Sequence, residues 1–420
     1  MDSTSAVRQA PAVDPPELRQ FLLGLAEAMT AAAESVDTIY AELELIVAAY
    51  SIADAEFVVL PTALIVQTGG MSGRVAIRSV EVASFHFHQI SALYSLLNRA
   101  ERAEVDPADG IRELAAIEVM KPRFNWVLRT LGHAVLTVGL SLLLIPTWRG
   151  MVLSFGLGVI IGLVKLVRSP HLQLILPTAS AFVCAAVVFA SAQFVGLGDP
   201  ALLLIAPIAT FLPGASLTSA TVELASGQMV AGASRLVAGL VELALLACGI
   251  LAAGAILGVG TSNYVAVQRA EILPWWVAPI GVLLYSIGIY FYLSVPGSTF
   301  GWVVLIVFVA YGAQTLGAGI AGPTFSGFIG ALVVTPAVLW IAGLHNGAPS
   351  QITFLPAFWF LVPGVSGLVG LTEVAVGEAD TRTFATALIT VLSIALGVLI
   401  GTALFRSTAA AFGRPRVVGE

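Results

Sequence analysis

The chain has 420 residues, of which 58% are hydrophobic and only 10% charged, and its mean hydropathy is +0.95. Soluble domains carry about 25% charged residues, so an ordinary soluble enzyme or binding module is excluded and a multi-pass membrane protein is indicated. The formal net charge of −6 says little, because the charges gather near the N-terminus and in the loops.

Residues 1–16 are polar, acidic and interrupted by Pro11, Pro15 and Pro16, and they read as a disordered tail with no signal peptide. From Glu17 to Tyr50 apolar residues recur at helical spacing (Leu18, Leu22, Leu25, Met29, then Val36, Ile39, Leu43, Ile46). Glu27, Glu34, Asp37, Glu42 and Glu44 fall on the opposite side, which gives one or two amphipathic helices too polar to span a bilayer. Two β-type runs follow, Phe57 to Gln67 and a partner from Arg74, divided by the turn signal Thr68-Gly-Gly-Met-Ser-Gly73. Residues 87–120 turn helical again, with a break at Asp106-Pro-Ala-Asp-Gly110 where Asp109 or Gly110 is the expected cap. Residues 17–122 are therefore expected to form a small α+β domain whose hairpin leans on its helices.

Ten apolar stretches of roughly 20 residues follow, as a bilayer requires. They lie near 127–146, 150–167, 172–195, 199–222, 229–257, 275–294, 300–320, 325–344, 352–373 and 384–405. Lys121, Arg123, Lys165, Arg168, Arg235, Arg406, Arg414 and Arg416 flank one side, against Arg149, Arg269 and Arg382 on the other. The excess places the N-terminal domain and the C-terminal tail, 406–420, in the cytoplasm.

The fourth stretch carries Phe211-Leu-Pro213-Gly214-Ala-Ser216-Leu-Thr218 and ends at Glu223 and Gly227. The ninth repeats it as Leu361-Val-Pro363-Gly364-Val-Ser366, with Glu373 and Gly377. Pro-Gly, a Ser two residues on, a Glu ten after the Pro and a closing Gly coincide at one offset. Stretches four and nine are an odd number apart, so the copies cross in opposite directions. Pro177-Thr-Ala-Ser in the third stretch and Pro323-Thr-Phe-Ser in the eighth agree with this. The pattern predicts a 5+5 inverted repeat of 127–257 and 275–405, the architecture of alternating-access transporters.

Proline removes a backbone hydrogen bond and Gly permits a bend, so each Pro-Gly is either a packing kink or a discontinuous helix. In the second reading the half-helices after Gly214 and Gly364 present open amides, with the Ser216, Thr218 and Ser366 hydroxyls, to a carboxylate. Glu223 and Glu373 are either solvated loop residues or proton carriers facing a cavity, since a carboxylate in hydrocarbon is rarely idle. Glu242 lies deeper, two turns beyond Arg235, and reads as an ion pair with it or as a proton relay. His133 and Arg129 read as interfacial, Trp275 and Trp276 as interface anchors, and Asn263, Gln314 and Tyr285 as lone polar signals. Cys184 and Cys248 lie in apolar runs with no disulfide or metal-ligand spacing. His86 and His88 lack a third ligand, and no nucleophile elbow or phosphate loop is present, so neither cofactor, metal nor enzymatic role is expected.

On the two Pro-Gly motifs, the spaced glycines Gly227 and Gly232 with Arg235, and Ser35-Val-Asp37, Pro61-Thr62 and the helix from His88 to Glu118, the chain resembles the threonine/serine exporter family of bacterial inner-membrane proteins. The resemblance runs over residues 17–410, with Glu223 where the family usually has Asp and Ser216 where it usually has Pro. It implies proton-driven export of threonine and serine, with Glu223 as the acid of the first half. A transporter of another amino acid or a small organic acid on the same scaffold, and a membrane enzyme with its site in the cytoplasmic domain, are the alternatives.

Overall fold

The computed structural model describes residues 16–52, 54–69, 73–80, 84–144, 147–167, 169, 172, 175–197, 199–260, 274–361, 368 and 381–411. They divide into two compact units. One draws on Met1–Phe85 and Ala92–Met120, the other on His86–Ser91 and Lys121–Val417.

The first unit opens with α1 (Pro16–Ala31) and α2 (Val36–Ala49). α1 buries Leu22, Leu25, Ala26 and Met29, the side read as apolar in the sequence. Ser35 caps α2 by accepting from the Thr38 amide at 3.3 Å. Three antiparallel strands follow in sequence order, β1 (Glu56–Leu60), β2 (Ala63–Thr68) and β3 (Arg74–Ser79). The run read as one strand from 57 to 67 is thus two. Leu60 faces Ala63 in the register, and Pro61, with no amide to give to a ladder, lies in the two-residue turn between them. Leu64, Val66 and Thr68 alternate into the core, and Arg19 of α1 reaches the Thr68 hydroxyl at 3.3 Å. The Tyr40 hydroxyl donates to the Phe57 carbonyl at 2.7 Å and accepts from the Val59 amide at 3.3 Å, tying α2 to the sheet.

α3 (Phe87–Ala100) and α4 (Pro107–Glu118) complete this part of the chain. The α4 cap is Asp106, three residues before the expected Asp109. Its carboxylate accepts from the Ala108 amide at 2.9 Å, and Pro107 occupies the first turn, where a missing amide is harmless. Buried at the centre of the unit, Glu42 faces the carboxyls of Glu101 and Glu34, and Glu34 also accepts from the Tyr94 hydroxyl. Burial, with the Glu101 carboxyl beside it, pushes Glu42 up from 4.5 to about 9.

The second unit is almost wholly helical. Its long apolar helices are α5 (Trp126–Leu144), α10 (Met229–Leu257), α12 (Phe300–Ala321), α13 (Pro323–Ala342) and the stretch Ile389–Thr408 of α15 (Thr381–Ala411). Between these come α6 (Trp148–Val164), α7 (Leu176–Ala192), α8 (Pro200–Ile208), α9 (Gly214–Ala225), α11 (Val277–Tyr292) and α14 (Ser350–Leu361). Five helices among the described residues are long and apolar enough to cross a membrane, and six if the bent pair Pro200–Phe211 and Gly214–Ala225 counts as one. α6, α7, α11 and α14 are shorter and equally apolar. The protein is a multi-pass helical membrane protein.

Small residues set the helix spacing. α5 and α11 run antiparallel with glycines at seven-residue intervals on both. A Cβ on Gly139 would stand 2.5 Å from the Tyr285 amide, and one on Gly288 would stand 2.3 Å from the Leu136 amide. α7 and α10 meet where a Cβ on Gly249 would lie 2.4 Å from the Thr178 carbonyl; α13 and α15 meet where one on Gly397 would lie 2.5 Å from the Phe328 carbonyl. Gly322 alone joins α12 to α13, with φ at 82°. The bent pair lies in an apolar core made by Leu157, Ile161, Cys184, Val188, Leu204, Ile208, Leu217 and Leu246.

Two outcomes follow from this packing. Gly288→Ala should lower the melting temperature of the detergent-solubilised protein by the equivalent of about 1–3 kcal/mol of overpacking. Gly156→Ala, whose Cβ would meet nothing within 4 Å, should leave it unchanged. Folding favours the protonated Glu42, so its contribution is full below the ordinary value of 4.5 and is lost as pH rises toward 9. Amide protection in α2, taken relative to the intrinsic exchange rate at each pH, should therefore fall between about pH 5 and pH 9, and Glu42→Gln should flatten that dependence.

Candidate functional site

The bend is built by local sequence. Asp199 starts α8, its carboxylate accepting from the Ala201 amide at 2.9 Å and the Leu202 amide at 3.2 Å. Pro207 weakens the helix from inside, and residues 209–211 tighten into a 3-10 turn closed by the Leu212 amide on the Ala209 carbonyl at 3.1 Å. Leu212 is extended, with φ −69° and ψ 127°, as a residue before proline prefers. Pro213 then begins α9, and the two helices meet at 65°.

The two ends at the bend have opposite character. At the start of α9 no side chain caps the opening turn, so the first amides after Pro213 lie open in the way helix starts leave them. Ser216 is exposed beside them. Thr218 is buried and its Oγ1 makes no hydrogen bond. Leu217 between them packs on Gly239 of α10, which orients this face.

At the end of α8 the carbonyls are served by a polar group gathered from three other helices. The Lys165 ammonium, just beyond α6, donates to the Thr210 carbonyl at 3.0 Å and stands 3.5 Å above the Phe211 ring. His133 of α5, fully buried, reaches the Gly158 carbonyl from Nδ1 at 2.9 Å and Thr210 Oγ1 from Nε2 at 3.0 Å. A carbonyl only accepts, so Nδ1 carries the proton. In the neutral ring Nε2 then accepts from the Thr210 hydroxyl. Tyr292 of α11 also hydrogen-bonds Thr210, and its ring meets the His133 ring edge-on at 5.0 Å. With the Thr210 proton directed at His133, the Tyr292 hydroxyl must be the donor to Thr210. The result is a directed chain, Tyr292 to Thr210 to His133 to Gly158.

His133, read as interfacial in the sequence, is enclosed among helices. Gly158 and Gly162 bring α6 close enough for the ring to be enclosed; a Cβ on Gly162 would come 3.2 Å from His133 Cβ. Lys165 was read only as a flanking cation, and Thr210 and Tyr292 were not singled out. Thr210 just ahead of a Pro-Gly, with a Lys between two apolar stretches, was the available signal.

The acids are separated. Glu223, with 0% exposure, pairs its Oε2 with Arg235 Nε of α10 at 3.2 Å. Arg235 therefore serves Glu223 and not Glu242. Glu242 is exposed on α10. Pro363, Gly364, Ser366, Glu373 and Asn263 lie outside the described residues. α14 (Ser350–Leu361), ahead of the second Pro-Gly in the sequence, carries its own internal Pro356. The Leu361 carbonyl accepts from Gln314 Nε2 of α12 at 3.5 Å, and the buried Tyr285 donates to the Pro356 carbonyl at 2.9 Å. Trp275 and Trp276 are exposed. The His86 and His88 rings stack 5.9 Å apart, and among the described residues no three His, Cys, Asp or Glu side chains gather to hold a metal.

Apolar helices, two of them bent around a cluster of polar side chains, define a multi-pass membrane protein with a polar centre. Residues 20–257 match the family ThrE, described as "Putative threonine/serine exporter". That is more than half of the chain, and the chain belongs to this family. No curated protein and no solved structure matches it.

Arg235→Gln strips the buried Glu223 of its ion-pair partner and should destabilise the protein by about 3–5 kcal/mol. The double variant Glu223→Gln/Arg235→Gln should recover most of that in the same thermal-unfolding measurement. A single variant as stable as wild type would show that Glu223 does not depend on the pair.

Proposed function

We propose that the protein is a secondary transporter that exports threonine and serine across a bacterial cytoplasmic membrane by proton antiport with alternating access. The family supplies the substrate class. The observation that carries the mechanism is the bend at Pro213-Gly214, read as one broken span with open amides on one side and carbonyls on the other. The substrate carboxylate sits at the amide end, beside Ser216 and Thr218, and the unpaired Thr218 hydroxyl is available to it. Pro363, Gly364 and Ser366 do the same from the second half. Glu223, Glu373 and Glu242 are the carboxylates that exchange protons with the two sides.

Ten spans in a 5+5 inverted repeat complete the reading, with both termini cytoplasmic and 17–122 as a cytoplasmic domain. Three contacts support it. The first helix of each half, α5 and α11, pack antiparallel through reciprocal glycines. The third and fifth of each half meet at a glycine of the fifth, Gly249 and Gly397. The second helix of each half sends a polar side chain to the carbonyl end before its Pro-Gly, Lys165 to Thr210 and Gln314 to Leu361.

In proteoliposomes an imposed pH gradient should drive labelled threonine against its concentration, and unlabelled serine should compete while leucine and succinate do not. If dissipating the gradient leaves the threonine flux unchanged, antiport is wrong. If the gradient moves an organic acid and not threonine, the substrate is wrong.

A further inference from the structure

Arg123, three residues ahead of α5, has no part in the bend, yet its guanidinium is firmly seated. It lies over the Phe124 ring at 5.6 Å. It also meets Gly297, in the turn between α11 and α12. A Cβ on Gly297 would stand 3.5 Å from both Arg123 Nη1 and Nη2, and 3.8 Å from the Tyr290 hydroxyl. The guanidinium and that hydroxyl are therefore neighbours at one point. The Phe124 ring is fixed in turn, tilted against Tyr290 at 5.2 Å and Phe291 at 5.1 Å. Asn125 sets the start of α5 beside it, its Oδ1 accepting from the Leu128 amide at 2.9 Å. A cation held in this way loses little freedom when it binds.

The seat leaves its donors without an acceptor. Among the described residues Arg123 forms no ion pair or hydrogen bond, and the Tyr290 hydroxyl forms no hydrogen bond. The elements that build the seat have no acid to offer. No Asp or Glu occurs between Glu118 and Asp199, or between Glu271 and Glu373. Lys121 adds a second exposed cation.

Depth says which anion fits. α5 begins at Trp126, α11 ends at Tyr292 and α12 begins at Phe300, so the seat lies where three apolar helices start or stop. In a bilayer that is the level of the lipid headgroups, where Trp and Tyr also gather. Trp126 is 61% exposed, and Val127, Leu128 and Leu131 are exposed on the first turns of α5. Cations thus adjoin an apolar surface, the two halves of a phospholipid's own pattern.

We propose that Arg123, with the Tyr290 hydroxyl and Lys121, binds the phosphate of an anionic phospholipid where α5 and α12 begin. The planar fork of the guanidinium matches two oxygens of one phosphate, and the phenol donates to the same group. Lys121 supplies charge that a zwitterionic lipid offsets with its own cation. The site shares no residue with the bend and stands or falls independently of threonine export.

The test is native mass spectrometry of the full chain in detergent, titrated with phosphatidylglycerol or with phosphatidylcholine of the same acyl chains. Wild type should bind its first phosphatidylglycerol about tenfold more tightly than phosphatidylcholine, the worth of one charge-assisted contact. Arg123→Gln should remove that preference. Arg102→Gln, which deletes a cation already paired with Glu104, should leave it intact. An unchanged preference in Arg123→Gln, or an equal loss in Arg102→Gln, overturns the site and leaves only diffuse charge attraction. Glycerol 1-phosphate, the headgroup phosphate without acyl chains, should not displace the lipid at equal concentration. If it does, the ligand is a soluble phosphate and the lipid assignment is wrong. Should Arg123→Gln fail to fold, Tyr290→Phe removes the hydroxyl alone. It should weaken phosphatidylglycerol binding about fivefold, and an unchanged affinity there overturns the site.

Discussion

In hydrocarbon a backbone carbonyl or amide has no water to turn to, and the whole second unit answers to that constraint. Ordinary helices meet it internally. The bend between Pro200–Phe211 and Gly214–Ala225 does not, because two prolines and a 3-10 turn take residues out of the helical ladder. The surrounding helices are arranged around the shortfall. α6 sends Lys165, α5 sends His133, and α11 sends Tyr292, all to the single residue Thr210. The glycines of α5, α6 and α11 are the means by which three helices come near enough to do so.

What remains unserved is as telling as what is served. The carbonyl side of the bend receives the Lys165 ammonium at Thr210, and the amide side has no capping side chain. The buried Glu223, by contrast, already has Arg235, and that pair fastens α9 to α10. The most enclosed acid is thus the one whose charge is answered within the chain, whereas Glu242 lies open on the same helix as Arg235.

The class of protein was legible from composition, and the bend was legible because Pro-Gly in an apolar run has few innocent explanations. The apolar faces of α1 and α2 came through because helical period survives whatever the tertiary surroundings, whereas Glu34 and Glu42, read on the polar side, are buried. Other features were hidden for stated reasons. One strand became two at Pro61, where the branched residues on either side outweighed the missing amide in the reading. Asp106 capped α4 because a cap is chosen by backbone geometry, which two aspartates three residues apart do not distinguish. The enclosure of His133 was hidden because Gly158 and Gly162, on a different helix, produce it. Arg235 and Glu242 shared a helical face in the sequence, yet Arg235 pairs with Glu223 on another helix.

The join between α12 and α13 has a mechanical consequence. Two apolar helices of 22 and 20 residues are connected through Gly322 alone, and Gly317 fits its α-carbon against the backbone of Ser326 across the corner. A hinge of one residue allows a change of angle and forbids sliding. A change of angle there swings α12 and α13 as a lever with its fulcrum at Gly322. Gln314, two turns from that fulcrum on α12, is carried along, and the far end of α13 sweeps the larger arc.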